Sequence, residues 1–148
     1  MSDLNLNSLY QQLILDHYRK PRNKGELPDK TVEIHMANPV CGDEIRLQLR
    51  IEGDRITEAM HVGHGCSISQ AAVSMMTNLI KGKSLSEAEG LAERFTAMMH
   101  GDEEVAKDRS MGDLRALQGV SKFPVRIKCA LLAFDALQEA IKKTQAST

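Results

Sequence analysis

The stretch EIRLQLRIEGDRITEAMHVGHGCSIS, Glu44 to Ser69, contains the patterns of two strands, a tight turn and the start of a helix. Its first residues alternate strictly between polar and apolar side chains, which is typical of a strand with one buried and one exposed face. Gly53-Asp54 is a two-residue turn that predicts a hairpin into a strand from Ile56 to Val62. Cys66 follows in a glycine-rich segment directly before a helical pattern. The stretch therefore predicts a β-hairpin that leads into a helix.

The flanking segments predict one more strand and further helices. Upstream, Val32, Ile34 and Met36 alternate with polar residues, which favours a strand before the hairpin. Residues 102–111 are charged and aperiodic, and they are predicted to form a mobile surface loop. Four helices are predicted. The first contains Tyr10, Leu13, Ile14 and His17 and ends before Pro21, and the second runs from Ile68 to Gly82. The third begins at the Ser84/Glu87 capping box and ends near Gly101, and the last begins near Pro124.

These elements predict an α+β fold in which a three-stranded antiparallel sheet packs against helices, in a single domain over residues 1–148. The 19 basic and 20 acidic residues nearly cancel and form no basic run, so a nucleic-acid partner is not expected. The N-terminal residues show no secretory signal and no apolar run is long enough for a membrane span, which predicts a cytoplasmic protein. Three cysteines, an odd number in a reducing compartment, indicate metal ligation, sulfur chemistry or simple packing rather than disulfides.

The order of the strands brings two of the cysteines together. In an antiparallel meander, the loop before the second strand and the loop after the third lie at the same end of the sheet. Cys41 lies in the first of these loops and Cys66 in the second. Cys129 lies near the start of the last helix and joins them if that helix begins at the same end. The topology thus permits a site with three cysteines.

The chemistry of these residues favours a metal site. Cys66 and Cys129 lie near helix N-termini, where the unsatisfied amide groups stabilise a thiolate over a thiol. Asp43 adds a carboxylate oxygen, and a set of three cysteines and one aspartate suits tetrahedral zinc. Three thiolates, one carboxylate and one divalent cation leave a formal charge of about −2. Arg126 and Lys128 are candidates to offset this charge.

Simpler interpretations stay open at this point. A cysteine in a reducing compartment is often a small buried apolar residue, and the sequence has no C-x-x-C pair. Asp43 beside a glycine is also typical of a turn. His64 is an alternative ligand in place of Asp43, or a loop residue bonded to backbone, and His17 is expected to be a packed or capping residue.

Four motifs in the same order resemble the IscU/NifU-N family of iron-sulfur cluster assembly proteins, and most of all its SufU branch. They are LYQQLILDHYRKPRNKG at residues 9–25, NPVCGD at 38–43, GHGCSIS leading into SMM at 63–76, and GVSKFPVRIKCALL at 119–132. The resemblance implies a SufE/NifU-like fold and one NifU N-terminal-like domain. It also implies that Cys41, Asp43, Cys66 and Cys129 converge at one exposed end as zinc ligands.

Two departures from the IscU pattern bear on function. IscU-type scaffolds have a histidine before the third cysteine, where this chain has Lys128, and the segment from about Gly90 to Gly119 is expected to be an insertion. Both favour the SufU role, in which zinc-bound Cys41 accepts sulfur from the persulfide of a SufS-type cysteine desulfurase and passes it to a downstream iron-sulfur scaffold or apo-protein acceptor. We expect a group of the partner enzyme to replace Cys41 at the zinc. The alternatives are a scaffold that assembles an iron-sulfur cluster and a structural zinc module that binds partners.

Overall fold

The structure, a computed structural model, describes the backbone of residues 2–146 and the side chains of residues 8–146. The predicted single domain over residues 1–148 extends to Met1, Ser147 and Thr148, which lie outside the described residues. The elements in chain order are α1 (Ser2–Arg19), β1 (Val32–Asn38), β2 (Asp43–Glu52), β3 (Arg55–His64), α2 (Ser67–Ile80), α3 (Leu85–Met99), two 3-10 segments (Val105–Lys107 and Arg109–Lys122) and α4 (Pro124–Ala146). Within this described part, no helix is both long and apolar enough to span a bilayer.

The three strands form an antiparallel meander in the order β1-β2-β3, which confirms the predicted sheet. Asn38 pairs with Asp43 across the first connection, and Glu44 pairs with His64 at the end of β3. The start of β2 and the end of β3 therefore lie side by side. This register places the loop that carries Cys41 next to the glycine-rich segment that carries Cys66.

Helices cover one face of the sheet. The apolar residues of β2 that alternate in the sequence are all buried, and α4 lies across β1 and β2 while α2 lies against β3. α3 packs on α4 on the far side from the sheet, where the rings of Phe95 and Phe134 stack with centroids 4.2 Å apart. The capping box of Ser84 and Glu87 opens α3 as predicted. The α+β architecture expected from the sequence is thus confirmed.

The prediction of a surface loop over residues 102–111 is wrong. Two 3-10 segments occupy residues 105–122, and the second is kinked at Gly112. Val105 and Met111 are buried, with 8% and 0% of their surface exposed. The charged residues around them point outward, and the short period of a 3-10 turn hides the apolar pattern from a search for helical or strand spacing.

A buried polar network fastens α1 to the helices around it. The ring of His17 is fully buried, with Nδ1 2.7 Å from Ser74 Oγ on α2 and Nε2 2.8 Å from Asp113 Oδ2 in the second 3-10 segment. The backbone N–H of Arg22 also donates to Ser74 Oγ, at 2.8 Å. His17 is therefore a packed residue, as predicted, and its partner Ser74 is also fully buried.

Candidate metal centre

The predicted site residues meet at the end of the sheet where β2 begins and β3 ends. Ligand-type atoms of Cys41, Asp43 and Cys129 all lie within 4.8 Å of one another. The sulfur of Cys66 lies 3.8 Å from Asp43 Oδ2. Cys66 lies beside this group rather than within it, and the four residues, up to 88 positions apart in the sequence, share one end of the sheet. We refer to Cys41, Asp43, Cys66 and Cys129 as the cysteine–aspartate cluster.

Two members of the cluster lie at the passage from β1 to β2, Cys41 in the connection and Asp43 at the start of β2. Cys41 is half-buried in the turn, where its backbone N–H donates to Asn38 O at 3.2 Å, and the preceding Val40 is 82% exposed. Asp43 is the first residue of β2 and only 1% exposed. Burial of a carboxylate is costly unless the group is hydrogen-bonded or bound to a metal. Asp43 has one such hydrogen bond, from the backbone N–H of Cys66 at 2.8 Å, and its role as a metal ligand stays a prediction.

Cys66 is the N-cap of α2. Its Sγ accepts the backbone N–H of Ser69 at 3.4 Å, and its own backbone N–H donates to Asp43 Oδ1 at 2.8 Å. A cysteine here replaces the serine, threonine or aspartate that usually caps a helix. The predicted position of Cys66 at a helix N-terminus is confirmed. The capping geometry also fixes the direction in which the Asp43 carboxylate points.

The environment of Cys129 differs from the helix N-terminus that its place in the sequence predicts. Cys129 is the sixth residue of α4 and fully buried, so it lies beyond the unpaired amide groups of the first turn. Burial raises the pKa of the Cys129 thiol well above its usual range, and hydrogen bonds to Cys41 and Asp43 raise it further. The prediction that a helix N-terminus stabilises the Cys129 thiolate is therefore wrong. A bound cation is what would deprotonate this thiol.

The donor set fits a zinc ion. Cys129 Sγ lies 3.0 Å from Cys41 Sγ, too far for a disulfide bond of about 2.05 Å, and the three cysteines are free. Thiolates beside one carboxylate, in a partly buried cluster, match the soft and borderline ligands that zinc prefers. A bound cation would stabilise the Asp43 carboxylate and the deprotonated cysteines at this point.

The other candidates lie outside the cluster. The ring of His64 is 75% exposed, and its Nε2 faces Glu44 Oε2 at 3.7 Å, so the structure does not support His64 as a ligand. Lys128 is exposed on α4. Arg126 is exposed as well, and its side chain makes no hydrogen bond or ion pair with the residues that the structure describes. Arg126 lines a groove beside the cluster, and its role as a counter-charge stays a prediction.

The sequence reasoning missed the residues that hold Cys66 and Asp43 in place. A Cβ atom on Gly65 would collide with Asp43 Oδ1 and lie 2.7 Å from Ser69 Oγ, so only glycine fits between these groups. The hydroxyl of Ser69 donates to the carbonyl oxygen of Cys66 at 3.2 Å. The GHGCSIS motif contained these residues, but its spacing does not show that they face the aspartate 22 positions upstream of Gly65.

A three-stranded meander covered by helices on one face, with a cysteine–aspartate cluster at the sheet end, defines a class of small metal-binding α+β domains. The model of the NifU-like N terminal domain matches residues 9–130, and the chain belongs to this family. The family resemblance of the four sequence motifs is thus confirmed.

Individual relatives cover nearly the whole chain. It is 50% identical over 141 residues to the zinc-dependent sulfurtransferase SufU of Bacillus subtilis (strain 168), an alignment that covers 95% of each chain. It is 43% identical to the iron-sulfur cluster assembly scaffold protein IscU of Streptococcus pyogenes serotype M1, over 94% of this chain and 86% of the other. The crystal structure of FiSufU from Fervidobacterium islandicum AW-1 superposes with a TM-score of 0.77 at 32% identity, over 88% of this chain and 94% of the other.

Proposed function

We propose that this protein is a zinc-dependent sulfurtransferase of iron-sulfur cluster assembly. It accepts sulfur at Cys41 from a SufS-type cysteine desulfurase and passes it to a downstream iron-sulfur scaffold or apo-protein acceptor. The observation that carries the proposal is the position of Cys41 in a partly exposed turn, whereas Asp43 and Cys129 are buried and Cys66, also partly exposed, is held as the N-cap of α2. The similarity to the sulfurtransferase of Bacillus subtilis supports it.

The four residues of the cluster would hold the zinc. When bound, the ion keeps cysteine thiols deprotonated at neutral pH and so makes thiolates available. This matters most for Cys129, because burial raises the pKa of its thiol. Cys66 and Cys129 belong to helices and Asp43 to a strand, whereas Cys41 belongs to a turn. Cys41 is therefore the residue that leaves its ligand position at the smallest structural cost.

The transfer step is a thiolate exchange. The Cys41 thiolate attacks the outer sulfur of the desulfurase persulfide, and a new S–S bond forms between that sulfur and Cys41. The S–S bond of the desulfurase persulfide breaks at the same time, and the electron pair leaves with the desulfurase cysteine as a thiolate. Cys41 then carries the persulfide, and no external oxidant or reductant is needed. A downstream thiolate repeats the exchange and restores Cys41.

The surface around Cys41 suits contact with another protein. Val40, Phe123 and Val125 are apolar residues that flank the cluster along the chain, and they are 82%, 61% and 64% exposed. Phe123 also lines a groove of about 630 Å³, together with Tyr10, Ile68 and Arg126 among others. Exposed apolar residues next to a reactive group are typical of an interaction surface. With unpaired cysteines, the chain suits a reducing compartment, and we propose that it acts in the cytoplasm.

The test combines metal content with sulfur transfer. Purified protein should contain about one zinc per chain by the ligand-count argument. Incubation with a SufS-type desulfurase and cysteine should raise desulfurase turnover and produce a persulfide on Cys41, detected by mass spectrometry of alkylated peptides. Cys41→Ser is the matched control, because it replaces the thiol with a smaller hydroxyl that cannot carry a persulfide. A wild-type protein that contains no zinc, or that acquires no persulfide on Cys41, contradicts the proposal.

A scaffold role is the second candidate, because the Streptococcus pyogenes relative is named as one. Anaerobic incubation with iron and sulfide should then give a stable chromophore that moves to an apo-acceptor. Lys128, in place of the histidine of IscU-type scaffolds, argues against this result. Full desulfurase stimulation by a zinc-bound Cys41→Ser variant would instead favour a structural zinc module.

A further inference from the structure

The three sulfur atoms of the cysteine–aspartate cluster have different hydrogen-bond surroundings. Cys66 Sγ accepts a backbone N–H, that of Ser69, at 3.4 Å. Cys41 Sγ accepts the side-chain S–H of Cys129 at 3.0 Å, a bond that would be lost once Cys129 binds a metal as a thiolate, and no backbone N–H of the described residues donates to it. A hydrogen bond to a thiolate stabilises its charge, and a more stabilised thiolate is a weaker nucleophile. Cys66 is thus less suited to attack an electrophile than Cys41.

Ser69 also holds the peptide group of Cys66. Its hydroxyl donates to Cys66 O at 3.2 Å, and the backbone N–H of Gln70 donates to the same oxygen at 3.1 Å. The side-chain amide of Gln70 donates in turn to Ser69 Oγ at 3.2 Å. Ser69 is 0% exposed and Gln70 5%, so water cannot readily replace these bonds. The first turn of α2 therefore keeps Cys66 in one position.

The same turn is packed against Asp43. The backbone N–H of Cys66 donates to Asp43 Oδ1, and a Cβ atom on Gly65 would touch both that oxygen and Ser69 Oγ. The Ser69 hydroxyl, the Cys66 amide and the Asp43 carboxylate thus surround the bare Cα of Gly65. A shift of Ser69 changes the position of Cys66 directly and of Asp43 through the Cys66 amide.

We infer that Ser69 is a positioning residue that keeps Cys66 and Asp43 as fixed ligands, so that Cys41 is the sulfur released to react. This inference rests on the proposed function and adds to it a reason why one cysteine reacts and the other two do not. Ser69 acts through Cys66, because its hydroxyl bonds to the backbone oxygen of that residue.

The experiment measures which cysteine an alkylating reagent modifies. Metal-loaded protein is treated with N-ethylmaleimide, and peptide mass spectrometry gives the ratio of modified Cys66 to modified Cys41. This ratio should be well below one in the wild type and should rise about 3- to 10-fold in Ser69→Ala, the range expected when one hydrogen bond is lost. Ser67→Ala is the matched control, because this serine lies in the same turn and its side chain makes no hydrogen bond with the described residues. Its ratio should equal that of the wild type.

Two further measurements distinguish a local change at Cys66 from misfolding of the variant. Gln70→Met removes the amide that holds the Ser69 hydroxyl and should raise the ratio less than Ser69→Ala does. The visible absorption of the cobalt(II)-loaded protein should change in both variants and not in Ser67→Ala. Equal ratios and equal cobalt spectra in wild type, Ser69→Ala and Gln70→Met overturn the inference.

The two proposals fail in different measurements. The proposed function fails on the wild type alone, if it holds no zinc or forms no Cys41 persulfide. The role of Ser69 is judged by comparing variants after cobalt(II) is added to metal-free protein. It can therefore be overturned while sulfur transfer by the wild type is intact.

Discussion

Gly65→Ala tests whether the close packing of Gly65 against Asp43 shapes the metal centre. Gly65 has a φ of +155°, a conformation that residues with a Cβ atom rarely adopt. The added Cβ would collide with Asp43 Oδ1, and it would lie 2.7 Å from Ser69 Oγ and 2.9 Å from Asp43 Cα. The atoms it meets belong to a buried strand end and to the first turn of a helix, so neither can move away freely. Asp43 must therefore rotate or shift.

The expected magnitude has two parts. Backbone strain of this kind costs about 1–3 kcal/mol, and overpacking adds roughly 1 kcal/mol or more. We therefore expect the free energy of unfolding to fall by about 2–4 kcal/mol. Misplacing a ligand through its surroundings typically lowers metal affinity about 10- to 100-fold. Zinc affinity should therefore fall by about 10-fold or more.

Gly82→Ala separates backbone strain from damage to the site. Gly82 also has a positive φ, +83°, but a Cβ there would meet nothing within 4 Å. This variant should lose about 1–2 kcal/mol of stability through strain alone and keep its zinc affinity. Urea denaturation gives the stabilities, and competition with a chromophoric chelator gives the affinities. If folded Gly65→Ala binds zinc as tightly as Gly82→Ala, the reasoning about Asp43 is refuted.

Three further predictions concern single side chains. Asp43→Ala should keep zinc but bind it more weakly and accept sulfur more slowly, because a hard oxygen ligand is replaced by an open position; unchanged affinity and transfer rate would reduce Asp43 to a turn residue. Arg126→Ala should leave stability within about 0.5 kcal/mol of the wild type, since the side chain is exposed, yet change the alkylation rate of zinc-bound Cys41, and identical rates would mean that Arg126 only faces solvent. Burial lowers the pKa of His61 from 6.5 to about 4, so the unfolded state binds more protons between these pH values and stability falls as the pH is lowered through them. The loss between pH 7 and pH 5 should be about 2 kcal/mol, and His61→Gln, compared by urea denaturation at both pH values, should lack this part of the slope.

Local patterns in the sequence were sufficient for most of the secondary structure. The alternation in β2, the Gly53-Asp54 turn and the Ser84 capping box each depend on residues a few positions apart, and each was confirmed. The meander followed from short connections between strands, because such strands pair with their neighbours. That topology alone predicted that Cys41 and Cys66 lie at the same end of the sheet.

The tertiary structure decided which environment each site residue occupies. Cys129 lies near a helix N-terminus in the sequence, yet its burial against the cluster raises its thiol pKa, because desolvation depends on neighbours that are distant in the chain. The burial of Val105 and Met111 depends in the same way on helices that pack over them. The hydrogen bond from the backbone of Cys66 to Asp43 joins residues 23 positions apart, and no local spacing pattern predicts such a contact. The sequence by itself determined most of the elements and the identity of the candidate ligands, whereas the burial of Asp43 and Cys129 came only from packing, since burial is a property of the folded surface.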